Sequence, residues 1–335
     1  MREARVDHDE GRLENEIAEL ESRLAEAKER LSKRRGGAAA AAHPGSSHST
    51  ASSPAFPTPS PSPVPAISDP SHHYLLLLSD SALPLGSFAF SSGLESYLAH
   101  ARAAAADSRA SPVKVLYRPT LASFLPLSLS SYASTSLPFA LAAHRDPAAV
   151  AELDDALDAS IICAVGRRAS VAQGRALLTI WEKSLAPSDD AKRPLKPFAA
   201  ELRRASAASS AAGRRPRDNS GIDDVAGDAL TPAVSAHLAP LFGAVARLLG
   251  LTLRQAAYVF LFSHTKALVS AAVRAGMFGP YEAQKVLAGG ELQALIADMV
   301  DREWDVPFEE AGQSVPVMDL WIGRHEMLYS RIFNS

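Results

Sequence analysis

The chain has 335 residues, a formal net charge of −3 and a single cysteine. The near-balanced charge offers no basic stripe for nucleic acid, and one cysteine excludes an internal disulfide and suits a reducing compartment. The length allows one large domain or two medium ones.

The N-terminus is charged where a secretory signal needs an apolar segment, and its acidic residues argue against a mitochondrial transit peptide. Over 12–35, Leu13, Ile17, Leu20, Leu24, Ala27 and Leu31 recur at alternating spacings of four and three, one stripe along a helix. Glu19 with Arg23, Glu26 with Arg30 and Glu29 with Lys33 add i,i+4 pairs in the favourable order. This segment reads as a short coiled coil, as a solvated single helix, or as the product of an imprecise gene start. Residues 36–70 are Ala, Ser and Pro with few large apolar side chains, so they cannot offset their ordering entropy and read as a disordered tether. His43, His48, His72 and His73, in or beside it, lack the fixed geometry of metal ligands.

From Tyr74 the pattern is helical. Pro126 and Pro138 predict that Leu116–Leu141 forms two short helices broken near each proline. Pro147–Trp181 predicts one or two long helices, with Ala148, Leu153, Leu157, Ile161 and Cys163 to Val165 facing inward and Cys163 a buried, inert thiol. Gly174 costs that helix about 1 kcal/mol relative to Ala, which implies that another helix approaches closely there. Residues 187–230 return to Pro, Lys, Arg, Ser, Ala and Asp and read as a largely disordered insertion. Its Arg203, Arg204, Arg214, Arg215 and Arg217 are either solvated or a dock for an acidic partner. Pro240–Val273 predicts two apolar helices split at Gly250-Leu251-Thr252, with Thr252 as N-cap. Ala256–Val273, interrupted by His264 and Lys266, reads as a buried helix and not a membrane span. A third helix is expected from Tyr281 to Arg302, burying Ala283, Val286, Leu287, Leu292, Leu295, Ile296 and Met299. No period-two alternation recurs. The fold class is all-α, a multi-helix bundle over 71–335 with a disordered N-terminal extension and a flexible insertion at about 187–230. A soluble, intracellular protein is expected.

The sequence holds no G-x-x-x-x-G-K-[ST] phosphate loop, no Cys-x-x-Cys and no G-x-S-x-G, and the second histidine of an H-E-x-x-H after His325-Glu326 would fall on Tyr329. Nothing supplies a recognisable nucleophile and base. An enzymatic alternative places a polar pocket around His264, Lys266 and Glu95, since a buried lysine can serve as a base. Near the C-terminus, Asp319 can cap the last helix, while Trp321, Leu328 and Ile332 form an apolar stripe. Tyr329, Arg331 and Phe333 are the anchor types found at interface hot spots. This tail either docks on its own bundle or presents those anchors to a partner.

Two segments at opposite ends share a resemblance. SDSALPLGSFAFSSGLESYL, from Ser79 to Leu98, and DLWIGRHEMLYSRIFNS, from Asp319 to Ser335, resemble the N- and C-terminal signatures of the UreF family of urease accessory proteins. The intervening Arg168, Ser170 and Gly174 match that family's R-x-S-x-x-x-G pattern. The resemblance implies a non-catalytic, helical scaffold that bridges UreD (also called UreH) and the GTPase UreG at the urease apoprotein and influences GTP hydrolysis. It further implies a homodimer in the cytoplasm, with no tightly bound cofactor, GTP held by UreG and nickel handled by the assembled complex. A coiled-coil adaptor working through 12–35 is a further alternative. By the family pattern, partner-facing positions fall on Leu83, Pro84, Gly86, Ser87, Phe88, Gly93, Leu94 and Glu95. They also fall on Arg274, Gly279 and Gln284, and on Arg324, His325, Glu326, Tyr329, Ser330, Arg331, Phe333 and Ser335. Met277 stands where the pattern near Arg274 has Pro, and Pro280 where it has Gln. Arg331, with five guanidinium donors near the chain end, is the leading partner contact.

Overall fold

A computed structural model describes residues 70–107, 120–212 and 234–334, all within one compact unit spanning 65–335. The expected coiled coil at 12–35 and all but Pro70 of the expected tether lie outside the described residues. Among the described residues there are eleven α-helices and no strands. In chain order they are α1 (Pro70–Ser79), α2 (Leu94–Asp107), α3 (Leu121–Arg145), α4 (Val150–Ser160), α5 (Ala164–Ile180), α6 (Lys196–Ala212), α7 (Leu238–Leu248), α8 (Leu253–Arg274), α9 (Pro280–Ala288), α10 (Gly290–Glu303) and α11 (Pro316–Arg324).

The centre is the stack of α3 on α7 and α8, with α5 against α7 and α10 against α3. Helices α3 and α7 approach closely because Gly243 carries no side chain: a Cβ there would lie 1.9 Å from the Ala140 carbonyl oxygen. Thr252 caps α8 as expected, in a reciprocal box with Gln255. By length and composition α8 could cross a membrane, and 56% of its most apolar window is buried inside the bundle.

Four expectations are corrected, three about element boundaries and one about burial. First, α3 is one helix and not two, with both prolines inside it. Pro138 removes the N–H that would have bonded the Ser134 carbonyl, and the Gly312 N–H from the segment before α11 bonds that carbonyl instead, at 3.1 Å. Second, the helix expected over 281–302 is divided at Gly289 into α9 and α10, which together bury Ala283, Leu292 and Ile296. Third, residues 187–212, expected within a flexible insertion, hold a short 3₁₀ turn and α6, anchored by the buried Leu195, Phe198 and Ala199. The rest of the expected insertion, 213–230, lies outside the described residues. Fourth, Cys163 is half-buried at the N-cap of α5, and Ile162 beside it is 92% exposed.

Gly174 does permit a close approach, though of an extended segment and not a helix: a Cβ would sit 2.1 Å from the Ala236 carbonyl oxygen. Asp154, fully buried on α4, holds that segment by accepting from the backbone N–H groups of Ser235, Ala236 and His237 at 2.7, 3.0 and 2.5 Å. Those bonds fix Ala236 at φ +70°, a left-handed conformation that costs a non-glycine residue about 1–2 kcal/mol.

Candidate functional site

The two ends of the unit meet. The turn after α1 passes through Leu83 and exposed Pro84 to Gly86, whose φ of +73° starts a 3₁₀ turn over Ser87–Ala89. Gly93 has φ +86°, and a Cβ there would lie 3.1 Å from Ile322 Cγ1 of α11. Glycine is thus required both by the turn and by the packing. The close contact brings α11 over α2, where Trp321 packs edge-on to Tyr97 at 4.9 Å between ring centres and beside Phe124 at 5.6 Å.

Past α11 the chain does not continue as a helix to its end. It makes a 3₁₀ turn over His325–Met327 and then doubles back as a non-helical tail. The Glu95 carboxylate clasps that tail by accepting from the backbone N–H of Ile332 at 2.6 Å and of Phe333 at 3.2 Å. The Asn334 N–H donates to the Ala89 carbonyl at 2.7 Å. Phe333 is buried, and the Arg274 guanidinium lies over its ring at 4.4 Å while donating to the Phe88 carbonyl. His325, fully buried, donates from Nε2 to the Phe333 carbonyl at 3.0 Å. Its Nδ1 stands 3.6 Å from Glu95 Oε2 with no hydrogen bond among the described residues. Glu326 pairs with Arg168 of α5, whose hydrogen bond and then charge hold that carboxyl below the usual carboxylate range.

Residues from three distant stretches of sequence thus form one clasp: Phe88 and Glu95, then Arg274, then His325, Glu326 and Phe333. Around it several apolar side chains face solvent, with Phe88, Tyr329, Met327, Ile332 and Leu320 each more than half exposed. Of the two alternatives for the tail, the structure shows docking on its own bundle, with one anchor left exposed. Phe333 and His325 dock on the bundle, and Tyr329 points away from it.

Other expectations are redirected. Arg331 turns back on its own tail, donating to the Leu328 and Glu326 carbonyls at 3.3 and 3.1 Å. Asp319 is not a cap; it lies inside α11 and accepts from Gln313 Nε2 at 3.0 Å. Gly279 and Gln284 belong to the N-cap and exposed face of α9, apart from the clasp, and Pro280 fills the first position of α9, where a missing N–H costs nothing. Arg324 and Ser330 are exposed, Leu94 is core, and Ser335 lies outside the described residues.

The pocket suggested around His264, Lys266 and Glu95 does not assemble. Two residues apart on α8, His264 and Lys266 point about 200° apart. The Lys266 ammonium lies over the Phe262 ring at 5.2 Å, and Glu95 is engaged by the tail. Among the described residues no three His, Cys, Asp or Glu side chains converge as a metal site would require.

Beside the clasp is a cavity of about 260 Å³ between α3, α5, α8 and α11. Ser87 of the turn crosses its edge to donate to Gln173 at 2.8 Å, and Ser128, Ser131, Ser263 and His264 line it. His264 stacks on Tyr132 at 4.0 Å and bonds Ser128 Oγ at 3.1 Å. Burial drives the His264 imidazole down to about 3. That value lies below the unfolded one, so at intermediate pH the unfolded chain takes a proton that the folded chain refuses. The associated stability is complete above the unfolded value, near 6.5, and is lost as pH falls toward 3. Between pH 7 and pH 5 we expect this site to remove about 1–2 kcal/mol, seen as a lower urea midpoint. The His264→Gln variant should show that much less acid sensitivity, and equal pH slopes in both proteins would contradict the assignment.

Sequence reasoning placed a polar pocket at His264 but gave it Lys266 and Glu95 in place of the serines that line the cavity, and it missed the buried polar cluster next to that cavity. There, His237 lies between Ser170 Oγ at 3.0 Å and the Asp158 carboxylate at 2.9 Å. Asp154, the Ser134–Gly312 bond and this histidine have no local pattern, because each pairs with groups some 70 to 180 positions away.

Comparison with known proteins gives a consistent result. The UreF family model matches residues 118–291. A protein of Schizosaccharomyces pombe named uncharacterized urease accessory protein UreF-like is 34% identical over 266 residues, covering 78% of this chain and 97% of its own. Urease accessory protein F of Oryza sativa is 30% identical over 262 residues, covering 76% and 82%. Urease accessory protein UreF of Paenarthrobacter aurescens is 30% identical over 260 residues, covering 77% and 95%.

Proposed function

We propose, from the premise that this chain belongs to the UreF family of urease accessory proteins, that it is a non-catalytic scaffold in urease maturation. In this reading it joins UreD to the GTPase UreG on the urease apoprotein, so that GTP hydrolysis by UreG accompanies nickel insertion. Nickel is cargo of the assembled complex, and the chain acts in the cytoplasm as a homodimer.

The observation that carries the reading is the clasp. Burying Phe333 and binding its backbone holds the otherwise fray-prone chain end in one conformation. It sets out Tyr329, Met327, Ile332 and Phe88 as apolar anchors on an ordered backbone, which lowers the ordering cost on association. The exposed face of α9 around Tyr281, 85% exposed, is a second surface apart from the first, which a protein joining two partners needs.

The test is size-exclusion chromatography with light scattering of the full chain mixed with its cognate UreD and UreG, with GTP and nickel present. A stable complex of dimeric stoichiometry is expected. Removing the residues after Leu328 should abolish UreD binding and urease activation, while the helical content of the bundle persists. A well-folded chain that does not bind UreD, or a truncated chain that activates normally, would overturn the reading.

A further inference from the structure

The tetrapeptide Arg-Arg-Ala-Ser occurs twice, at 167–170 and at 203–206. Guanidinium groups two and three residues ahead of a serine form the charge pattern taken by serine kinases whose peptide groove is acidic. The fold holds the two copies differently, the first among buried groups and the second on an exposed helix face where Arg203 pairs with Glu182 at 3.1 Å.

In the first copy every recognition element is used internally. Ser170 Oγ bonds His237 and accepts from the Leu238 N–H at 3.3 Å. Arg167 donates to the Asp158 and Ile161 carbonyls at 2.7 and 3.0 Å and pairs with the Asp158 carboxylate at 3.3 Å. Arg168 is paired with Glu326 of the terminal turn. Extending this copy into a kinase groove would dismantle α5, the buried histidine cluster and the attachment of the tail.

In the second copy Arg203, Arg204 and Ser206 are all exposed on α6. The buried anchors of this part of the chain, Leu195, Phe198 and Ala199, all precede it, Leu202 is half-buried, and no residue from Arg203 to Ala207 is buried. The Ser206 hydroxyl donates to the Leu202 carbonyl at 2.8 Å, a local helical bond that breaks when this turn unwinds. Among the described residues from Arg203 to Ala207 such unwinding uncovers no fully buried side chain, which places it toward the low-cost end of local opening.

We propose that Ser206 is a phosphoacceptor for an arginine-directed serine kinase, and that Ser170, in the same tetrapeptide, is not. In the transfer, Ser206 Oγ attacks the γ-phosphorus of ATP. The new O–P bond forms as the bond from that phosphorus to the departing ADP oxygen breaks, and the hydroxyl proton passes to the kinase's carboxylate base. The product places a charge of about −1.5 to −2 at pH 7 one helical turn from Arg203. It then competes for the guanidinium that Glu182 holds at 3.1 Å at the end of α5. This inference does not depend on the urease reading.

The experiment incubates the full native chain with ATP and the catalytic subunit of cyclic-AMP-dependent protein kinase as probe, and maps phosphate by mass spectrometry over time. Phosphate is expected at Ser206 at least about tenfold faster than at Ser170. Arg204→Ala, at an exposed position, should slow Ser206 by a similar factor while leaving the thermal midpoint unchanged. Ser170→Ala should leave Ser206 labelling as it was. Labelling of Ser170 at a rate equal to Ser206, indifference to Arg204→Ala, or an unlabelled Ser206 in a kinase preparation active on a standard peptide would each overturn the proposal.

Discussion

Replacing Gly243 by alanine should lower the stability of the bundle by about 3–5 kcal/mol, among the largest effects a single methyl group can have. The added Cβ would lie 1.9 Å from the Ala140 carbonyl oxygen and 2.8 Å from its carbon. Both are main-chain atoms in the middle of α3, so no side-chain rotation relieves the contact. The helices must separate, and separation loosens Leu137, Leu141, Leu241 and Val245, none of them more than 1% exposed. In a chain of this size the thermal midpoint should fall by about 10 °C. Gly166→Ala is the control. Its Cβ would meet nothing nearer than 3.9 Å, so the same change within α5 should stabilise by about 0.5–1 kcal/mol. A Gly243→Ala midpoint within about 2 °C of the parent would show that α3 and α7 do not cross this closely.

Gly243 also marks the limit of what could be read from the residues alone. The apolar runs of α7 and α8 announce buried helices, and Thr252 as N-cap fixes where one of them starts. These are local signals with a period or a cap, and they survived folding unchanged. Pro138 is local too, yet reading it as a break failed. Its effect depends on whether something replaces the lost N–H, and the replacement, Gly312, lies 174 residues further on. The charge-rich stretch after Ala186 reads as flexible by composition, but Leu195 and Phe198 suffice to anchor α6.

The site was legible in a different way. Glu95, Arg274, His325 and Phe333 were singled out because the motifs at both ends and the segment around Arg274 resemble one family, and the structure brings these four together. Their roles were not legible. Arg331 had the chemistry of a partner contact but binds its own carbonyls, while Glu95, noted only as a motif position, holds the tail. Nothing in a sequence shows which of two charged residues finds a backbone N–H across 237 positions.

That assignment leads to the second large expected effect. Glu95→Ala should release the tail without unfolding the bundle. Each charge-assisted bond from Ile332 and Phe333 is worth about 1.5–3 kcal/mol. Burial of Phe333 contributes a similar amount, and that contribution persists in the variant. A net shift of about 2–4 kcal/mol in the opening equilibrium should raise hydrogen exchange at the Ile332 and Phe333 amides by about 30- to 1,000-fold. Amides of α7, in the core, should exchange as before. Under the scaffold reading, a partner that needs the ordered tail pays its ordering cost in the variant, so UreD affinity should fall by about 10- to 100-fold. Glu95→Gln keeps one acceptor but turns an amide N–H₂ toward a backbone donor, and should lie between the two. Arg274→Ala removes the cation over the Phe333 ring and the bond to Phe88, so alone it should weaken the same latch. Because Glu95 and Arg274 hold one segment, their effects on exchange should be strongly non-additive: once the tail is out, the second substitution has little left to release. Additive effects would mean that the two residues secure different things. Unchanged protection at Ile332 and Phe333 in Glu95→Ala would mean that the carboxylate is not the clasp.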